Sequence, residues 1–179
     1  GDDKLLSGVA KIMEEHGFRL IGAHEVAPEI LVGEGPLGLI KPSDAHAQDI
    51  ARGFELVSAI ASFDVGQAVV VANNRVLAIE AAEGTDHMLD RIAVLRAEGR
   101  IKIPDNMGVL VKSPKPTQDR RIDLPSLGPR TVEKAANAKL AGIAVAAGET
   151  VIAEPLRVAE AADRAGLFVV GRRRPGAGP

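Results

Sequence analysis

The sequence predicts a single α/β domain in which helices flank a mixed sheet. Segments with helical and strand spacing alternate along its 179 residues. Two β-branched runs are joined by Asn73 and Asn74, residues that tolerate positive φ in a tight hairpin, so at least one strand pair is antiparallel. With 46% hydrophobic residues, a chain of this length can bury one sizeable core.

The first third of the chain contains two predicted helices separated by a strand and a loop. Ser43 and Asp44 are candidate caps for the second helix. In order, the predicted elements are a helix at Lys4–Glu15, a strand at Phe18–Val26, a loop or short hairpin rich in Gly and Pro at Pro28–Pro42, and a helix at Ala45–Phe63.

The rest of the chain alternates strands and helices and ends in a basic segment rich in Gly and Pro. Residues 1–171 therefore form the predicted domain, and Arg172–Pro179 is predicted to be a disordered tail. In order, the predicted elements are strands at Gln67–Ala72 and Arg75–Glu80, a helix from a capping Thr85 to about Glu98, a strand at Met107–Val111, a Pro-rich charged stretch to Pro129, a helix at Thr131–Ala141, strands at Ile143–Ala147 and Thr150–Ala153, a helix at Leu156–Ala165 and a strand at Leu167–Val170.

Composition excludes several classes of function. The chain has four Phe, no Trp or Tyr and a formal net charge of −2, which argues against nucleic-acid binding. It has no Cys, so thiolate chemistry and disulfides are excluded, and no apolar run approaches the roughly 18 residues of a membrane span. Gly33–Gly38 matches the GxGxxG pattern of dinucleotide sites, but no strand–turn–helix context is predicted there.

Carboxylates follow the strand at Arg75–Glu80. Glu80, Glu83 and Asp86 fall within one strand end, loop and helix start, where oxygen ligands could hold a hard cation such as Mg²⁺ or position a water. Alternatively, Thr85 and Asp86 only cap the helix and complement its dipole. Both interpretations stay open on spacing alone.

Cations follow the strand at Met107–Val111. Lys112, Lys115 and Arg121 lie in a Pro-stiffened segment with Asp123, which favours an anionic ligand such as a phosphate. The alternative is an exposed charged loop. The following helix start, Gly128–Thr131, could add backbone N–H donors for a phosphate.

Taken together, these segments resemble the LpxI-type UDP-2,3-diacylglucosamine pyrophosphatases of lipid A synthesis. The resemblance extends from Gly1 to about Gly171 and rests on ordered motifs at Gly22–Val26, Asp64–Gln67, Glu83–Asp86, Lys112–Gln118, Arg121–Pro125 and Gly128–Thr131.

The resemblance implies a cytoplasmic enzyme, peripheral to the inner face of the bacterial inner membrane, that uses Mg²⁺ or Mn²⁺ to direct water onto the α-phosphorus of a lipid-linked UDP-sugar. The products would be UMP and 2,3-diacylglucosamine 1-phosphate. Asp86 matches the aspartate on which catalysis depends in that family. The chemistry of the remaining residues assigns metal contacts to Glu83, Asp86 and Asp123, and substrate or phosphate contacts to Thr85, Lys112, Lys115, Gln118, Arg121 and Thr131.

Family members also carry an amino-terminal domain, and the resemblance covers only the carboxy-terminal half of such an enzyme. We therefore expect this chain to fold but to be a weak catalyst without that partner domain. Two alternatives stay open: a non-enzymatic module that binds a nucleotide-sugar or acidic lipid, and a purely structural partner domain.

Overall fold

A six-stranded mixed sheet forms the centre of the structure, a computed structural model that describes residues 2–116 and 118–174. Helices lie around the sheet, so the predicted α/β class is confirmed. The helices are α1 (Asp2–Glu15), α2 (Ala23–Val26), α3 (Asp44–Ile60), α4 (Gly84–Ala97), α5 (Pro129–Asn137) and α6 (Pro155–Ala165). The strands are β1 (Gly35–Pro36), β2 (Ala68–Ala72), β3 (Arg75–Ile79), β4 (Val109–Lys112), β5 (Ser126–Leu127), β6 (Gly142–Ala146), β7 (Val151–Ile152) and β8 (Phe168–Arg172).

The strand order places the charged segments at one edge of the sheet. The order is β1-β8-β6-β4-β2-β3, with β4, β6 and β8 parallel and β2 antiparallel to both β3 and β4. Because Lys112 at the end of β4 pairs with Ala68 at the start of β2, the segment before β2 meets the segment after β4. The end of β3 lies at this same edge, since Ile79 pairs with Val69. Strands β5 and β7 form a separate parallel pair.

Alternating side chains of the strands give the sheet two apolar faces. Val69 and Val71 pack with Ile50, Phe54 and Val57 of α3. The opposite face packs against α4, α5 and α6 through residues such as Val70, Leu110, Met88, Val132 and Val158. The central strands β2, β4, β6 and β8 are therefore buried on both faces, which explains their nearly continuous apolar sequences.

The Asn73-Asn74 hairpin is confirmed, and an aspartate from another element supports it. Asn73 and Asn74 have φ of 51° and 60°, the conformation of a type I′ turn. Asp49 of α3, only 3% exposed, accepts hydrogen bonds from their backbone N–H groups at 3.0 Å and 2.6 Å. Asp49 therefore attaches α3 to the turn between β2 and β3.

We expect Asp49→Ala to lower the free energy of unfolding by about 1–3 kcal/mol, because two hydrogen bonds to a charged acceptor are lost. Chemical denaturation measures the change. Gln48→Ala, an exposed position next to it on α3, is the matched control and should stay within about 0.5 kcal/mol of the wild type. Equal stability of the two variants would show that the aspartate does not support the hairpin.

Several predicted elements are wrong or need new bounds. Phe18–Val26 is not a strand: residues 18–22 lack regular structure and Ala23–Val26 is a helix, since no neighbouring strand pairs with this exposed segment. Thr150–Ala153 shortens to β7, and its partner β5 was not predicted because it lies in the Pro-rich stretch. The first residue of the predicted tail, Arg172, belongs to β8, and residues 175–179 lie outside the described residues.

Helix starts also differ from the prediction in one case that affects the site. Ser43 caps α3 as expected, its hydroxyl accepting from the backbone N–H of His46. Thr85 does not cap α4: the helix begins at Gly84, its N-cap is Glu83, and no side chain caps it. No helix within residues 2–116 and 118–174 has the length and apolar character needed to cross a bilayer.

Candidate active site

A cavity of about 460 Å³ lies at the sheet edge where β3 and β4 end and β2 begins. Its size is typical of small-molecule sites. Charged and amide side chains from all three segments line it, namely Asp64, Gln67, Glu80, Lys115, Gln118 and Asp123. Three of the predicted site residues are therefore brought together here: Lys115, Gln118 and Asp123.

Glu80 is a buried carboxylate at the wall of the cavity, 7% exposed. It accepts a hydrogen bond from the backbone N–H of Gln67 at 2.9 Å and another from the hydroxyl of Thr85 at 2.9 Å. Thr85, predicted to contact substrate, thus uses its hydroxyl within the protein. Glu80 connects the start of β2 to the first turn of α4.

Lys115 supplies positive charge to the cavity. Its ammonium pairs with Asp64, and this contact holds the pKa of the Asp64 carboxyl at about 2. Gln118 donates from its side-chain amide to Asp123 at 2.5 Å and accepts from the backbone N–H of Lys115 at 3.1 Å. Gln118 therefore links the backbone of Lys115 to the side chain of Asp123 at the cavity.

Lys112, predicted to bind phosphate, is instead buried at the end of β4, 5% exposed. Its ammonium donates to the backbone carbonyl of Ser126 at 2.9 Å. Burial lowers the pKa of Lys112, and Glu80, Asp86 and Asp123 oppose that shift electrostatically. The Lys112 ammonium therefore interacts electrostatically with Asp86 as well as with Glu80 and Asp123, but only the last two line the cavity.

The two acidic residues at the start of α4 face arginines. Asp86 pairs with Arg130 at the start of α5, 2.7 Å between carboxylate oxygen and Nε. Glu83 pairs with Arg91 at 2.6 Å, and hydrogen bonds from its own backbone amide and from Arg91 lower its pKa. Within the described ranges, no three Asp, Glu or His side chains are arranged to hold a metal ion. Glu83, Asp86 and Asp123 therefore do not form a complete ligand set by themselves.

Two predicted phosphate contacts lie away from the cavity lining. Arg121 donates to both oxygens of Asp119, at 3.0 Å and 2.7 Å, and to Glu14 of α1 at 2.6 Å. These carboxylates raise the pKa of Arg121. The contact with Glu14 connects the loop to α1. Thr131 is buried in the first turn of α5, where its backbone N–H donates to Gly128.

Residue-by-residue assignment missed Asp64 and Gln67 as parts of the cavity. Both belong to the Asp64–Gln67 motif that precedes β2, so a signal was present in the sequence. Their position beside Lys115 depends on the antiparallel pairing of β2 with β4, which the sequence does not specify. The tertiary structure alone places them in the site.

Comparison with known proteins identifies the family. The family model described as the LpxI C-terminal domain matches residues 33–170. The chain belongs to this family. It is also 44% identical over 171 residues to the UDP-2,3-diacylglucosamine pyrophosphatase LpxI of Caulobacter vibrioides, an alignment that covers 96% of this chain and 61% of the relative. The resemblance inferred from the LpxI motifs is therefore confirmed, and the chain spans about three fifths of that relative's length.

Proposed function

We propose that this LpxI-family chain provides the catalytic residues for hydrolysis of the pyrophosphate bond in UDP-2,3-diacylglucosamine, releasing UMP and 2,3-diacylglucosamine 1-phosphate. The observation that carries the proposal is the cavity at the sheet edge, which combines the cation Lys115 with the carboxylates Glu80 and Asp123 and is also lined by Gly84 at the start of α4, two residues before Asp86. Phosphoryl transfer needs this combination of positive charge and carboxylates. The family membership supports the substrate.

The charges suggest a role for each residue. Lys115 is the cation that meets the pyrophosphate, after exchanging its contact with Asp64 for a phosphate oxygen. Asp86 is the carboxylate that orients the attacking water. Its partner Arg130 is 73% exposed, so separating the two costs little and leaves the arginine in solvent. Lys112 stays buried, and its positive charge interacts electrostatically with Glu80, Asp86 and Asp123.

The donor chemistry of the cavity fits a hard divalent cation. Mg²⁺ is commonly held by one or two carboxylates together with substrate phosphate oxygens and water, so a complete protein cage is not required. Asp123 lines the cavity and would hold the cation, whereas both carboxylate oxygens of Glu80 are already engaged by Gln67 and Thr85. When bound, the cation would stabilise the negative charge that develops on the phosphate oxygens.

We expect hydrolysis to require Mg²⁺ or Mn²⁺. Treatment with EDTA should reduce UMP release at least about 100-fold, and adding back either ion should restore it, because the available ligands are hard oxygen donors. The control is the same concentration of EDTA already saturated with Mg²⁺, which should leave UMP release unchanged. Full activity in chelator after thorough dialysis would contradict the proposed metal dependence.

The decisive experiment incubates UDP-2,3-diacylglucosamine with this chain joined to the amino-terminal domain that the family resemblance implies. UMP release supports the proposed hydrolysis. Saturable binding without UMP would favour the alternative, a binding module for nucleotide-sugars or acidic lipids. The resemblance implies attack on the α-phosphorus, so reaction in H₂¹⁸O should label UMP. Label in the sugar phosphate would instead place attack on the other phosphorus.

The lipid nature of the proposed substrate also suggests a location. A protein that takes its substrate from a bilayer must approach the membrane surface, and we propose the inner face of the bacterial inner membrane. Sedimentation with vesicles that contain the substrate, compared with vesicles that lack it, tests this association.

A further inference from the structure

The start of α4 is held by a residue outside the helix. Its N-cap, Glu83, makes no side-chain capping bond, and its first residue, Gly84, has φ of 77°. The first turn is instead attached to the sheet, because the hydroxyl of Thr85 donates to Glu80 at 2.9 Å. The Glu80 carboxylate also lies near the positive end of the helix dipole, which favours a negative charge there.

Packing and hydrogen bonding define the orientation of Glu80. Its second oxygen accepts from the backbone N–H of Gln67 at 2.9 Å. Behind it lies Gly66, where an added Cβ would come within 2.5 Å of Glu80 Cγ and 2.8 Å of its carbonyl oxygen. Glu80 is thus 93% buried against backbone, and both carboxylate oxygens have partners.

We propose that Glu80 is a positioning residue for Asp86, acting through the hydroxyl of Thr85. Asp86 follows Thr85 directly in the first turn of α4, so the contact between Glu80 and Thr85 sets the position of that turn relative to Lys115 and Asp123. Small displacements of a reacting group lower turnover strongly, because the reaction needs near-attack geometry. This inference rests on the proposed function for its effect on turnover.

The test is a double-mutant cycle of Glu80→Gln and Thr85→Val. The glutamine keeps one acceptor oxygen but presents an N–H₂ group to the second donor, and the valine removes the hydroxyl while keeping the side-chain volume. Each change should lower kcat about tenfold or more, with KM within about threefold. The double variant should lose little more than either single variant, because both break the same contact.

Thr85→Ser retains the hydroxyl and should recover most of the turnover that Thr85→Val loses. Glu98→Gln, at the exposed far end of α4, is the matched control for the change from carboxylate to amide. If the reductions in kcat of the two single variants multiply in the double variant, the two residues act independently and the proposal is overturned. A Thr85→Val variant with wild-type kcat would also overturn it, because the hydroxyl contact with Glu80 would then have no effect on turnover.

Amide hydrogen exchange across residues 86–90 provides a readout that does not depend on turnover. Exchange should be faster in Thr85→Val than in Thr85→Ser, while the rest of the sheet stays protected. If the wild-type protein does not hydrolyse UDP-2,3-diacylglucosamine, the proposed function fails, and the exchange data still test the contact. If amide exchange in Thr85→Val is the same as in Thr85→Ser, the contact does not hold the start of α4, and the positioning role of Glu80 is refuted.

Discussion

Replacing Asp86 by Ala should reduce hydrolysis of UDP-2,3-diacylglucosamine at least about 100-fold, or about 2.7 kcal/mol of transition-state stabilisation. Substrate binding should survive, because in the proposed mechanism the lost carboxylate orients the attacking water and does not hold the bound substrate. The fold should also survive, since Asp86 makes a partly exposed ion pair with Arg130 at 2.7 Å. Steady-state kinetics of UMP release, with binding measured separately by calorimetry, checks both expectations.

Asp90 offers a matched control one helical turn away. Like Asp86, it connects α4 to α5 through an ion pair, in this case with Lys134 at 2.7 Å. Asp90→Ala therefore removes an equivalent helix–helix contact away from the cavity and should keep turnover within about twofold. If Asp86→Ala keeps a tenth of wild-type turnover, a loss of only about 1.4 kcal/mol, Asp86 is not the residue on which hydrolysis depends.

The isolated 179-residue chain should hydrolyse the same substrate at least about 1000-fold more slowly than the same chain joined to the implied amino-terminal domain. Orientation of substrate contributes roughly 7–11 kcal/mol of barrier reduction in favourable cases, so a site that a second domain completes would be a poor catalyst without that domain. The relative extends well beyond the match, which covers 61% of it. Along α1, Leu5, Val9 and Ile12 are 69%, 52% and 56% exposed, an apolar face that a further domain could cover.

The comparison requires proof that the isolated chain is folded. Cooperative thermal unfolding should be seen for both proteins, because the sheet already has apolar helices on both faces. Values of kcat/KM are then compared at equal metal concentration. Comparable values for the two proteins would place the whole active site within this chain and contradict the divided site.

Local patterns in the sequence were sufficient wherever neighbouring residues determine the structure. The Asn73-Asn74 turn was predictable because two residues suited to positive φ separate two β-branched runs. The Pro-rich loop also holds Lys115, Gln118 and Asp123 close together in sequence, and all three line one cavity; the motifs around the loop identified the family. These are properties of short stretches, and they do not depend on which strands pair.

The partners of charged side chains were decided by the tertiary structure. Arg121 was predicted to meet phosphate, but Glu14, 107 residues away, joins the nearby Asp119 in binding it. In the sequence Lys112 follows an apolar run as a loop cation would, yet it is the last residue of β4 and is buried beside Ser126. Ion pairs and hydrogen bonds form only between groups a few ångströms apart. The spacing of residues along the sequence does not show which distant segment comes that close.

By itself, the sequence determined the α/β class, the order of most elements, the hairpin and the family, because all of these follow from periodicity and motifs along the chain. Only the tertiary structure brought Asp64 to Lys115 and Glu80 to Gln67. Both contacts require β2 to run antiparallel to its neighbours β3 and β4, so that the start of one strand meets the ends of two others. Strand pairing depends on the packing of the whole sheet between its helices, and the cavity exists where that pairing places those ends together.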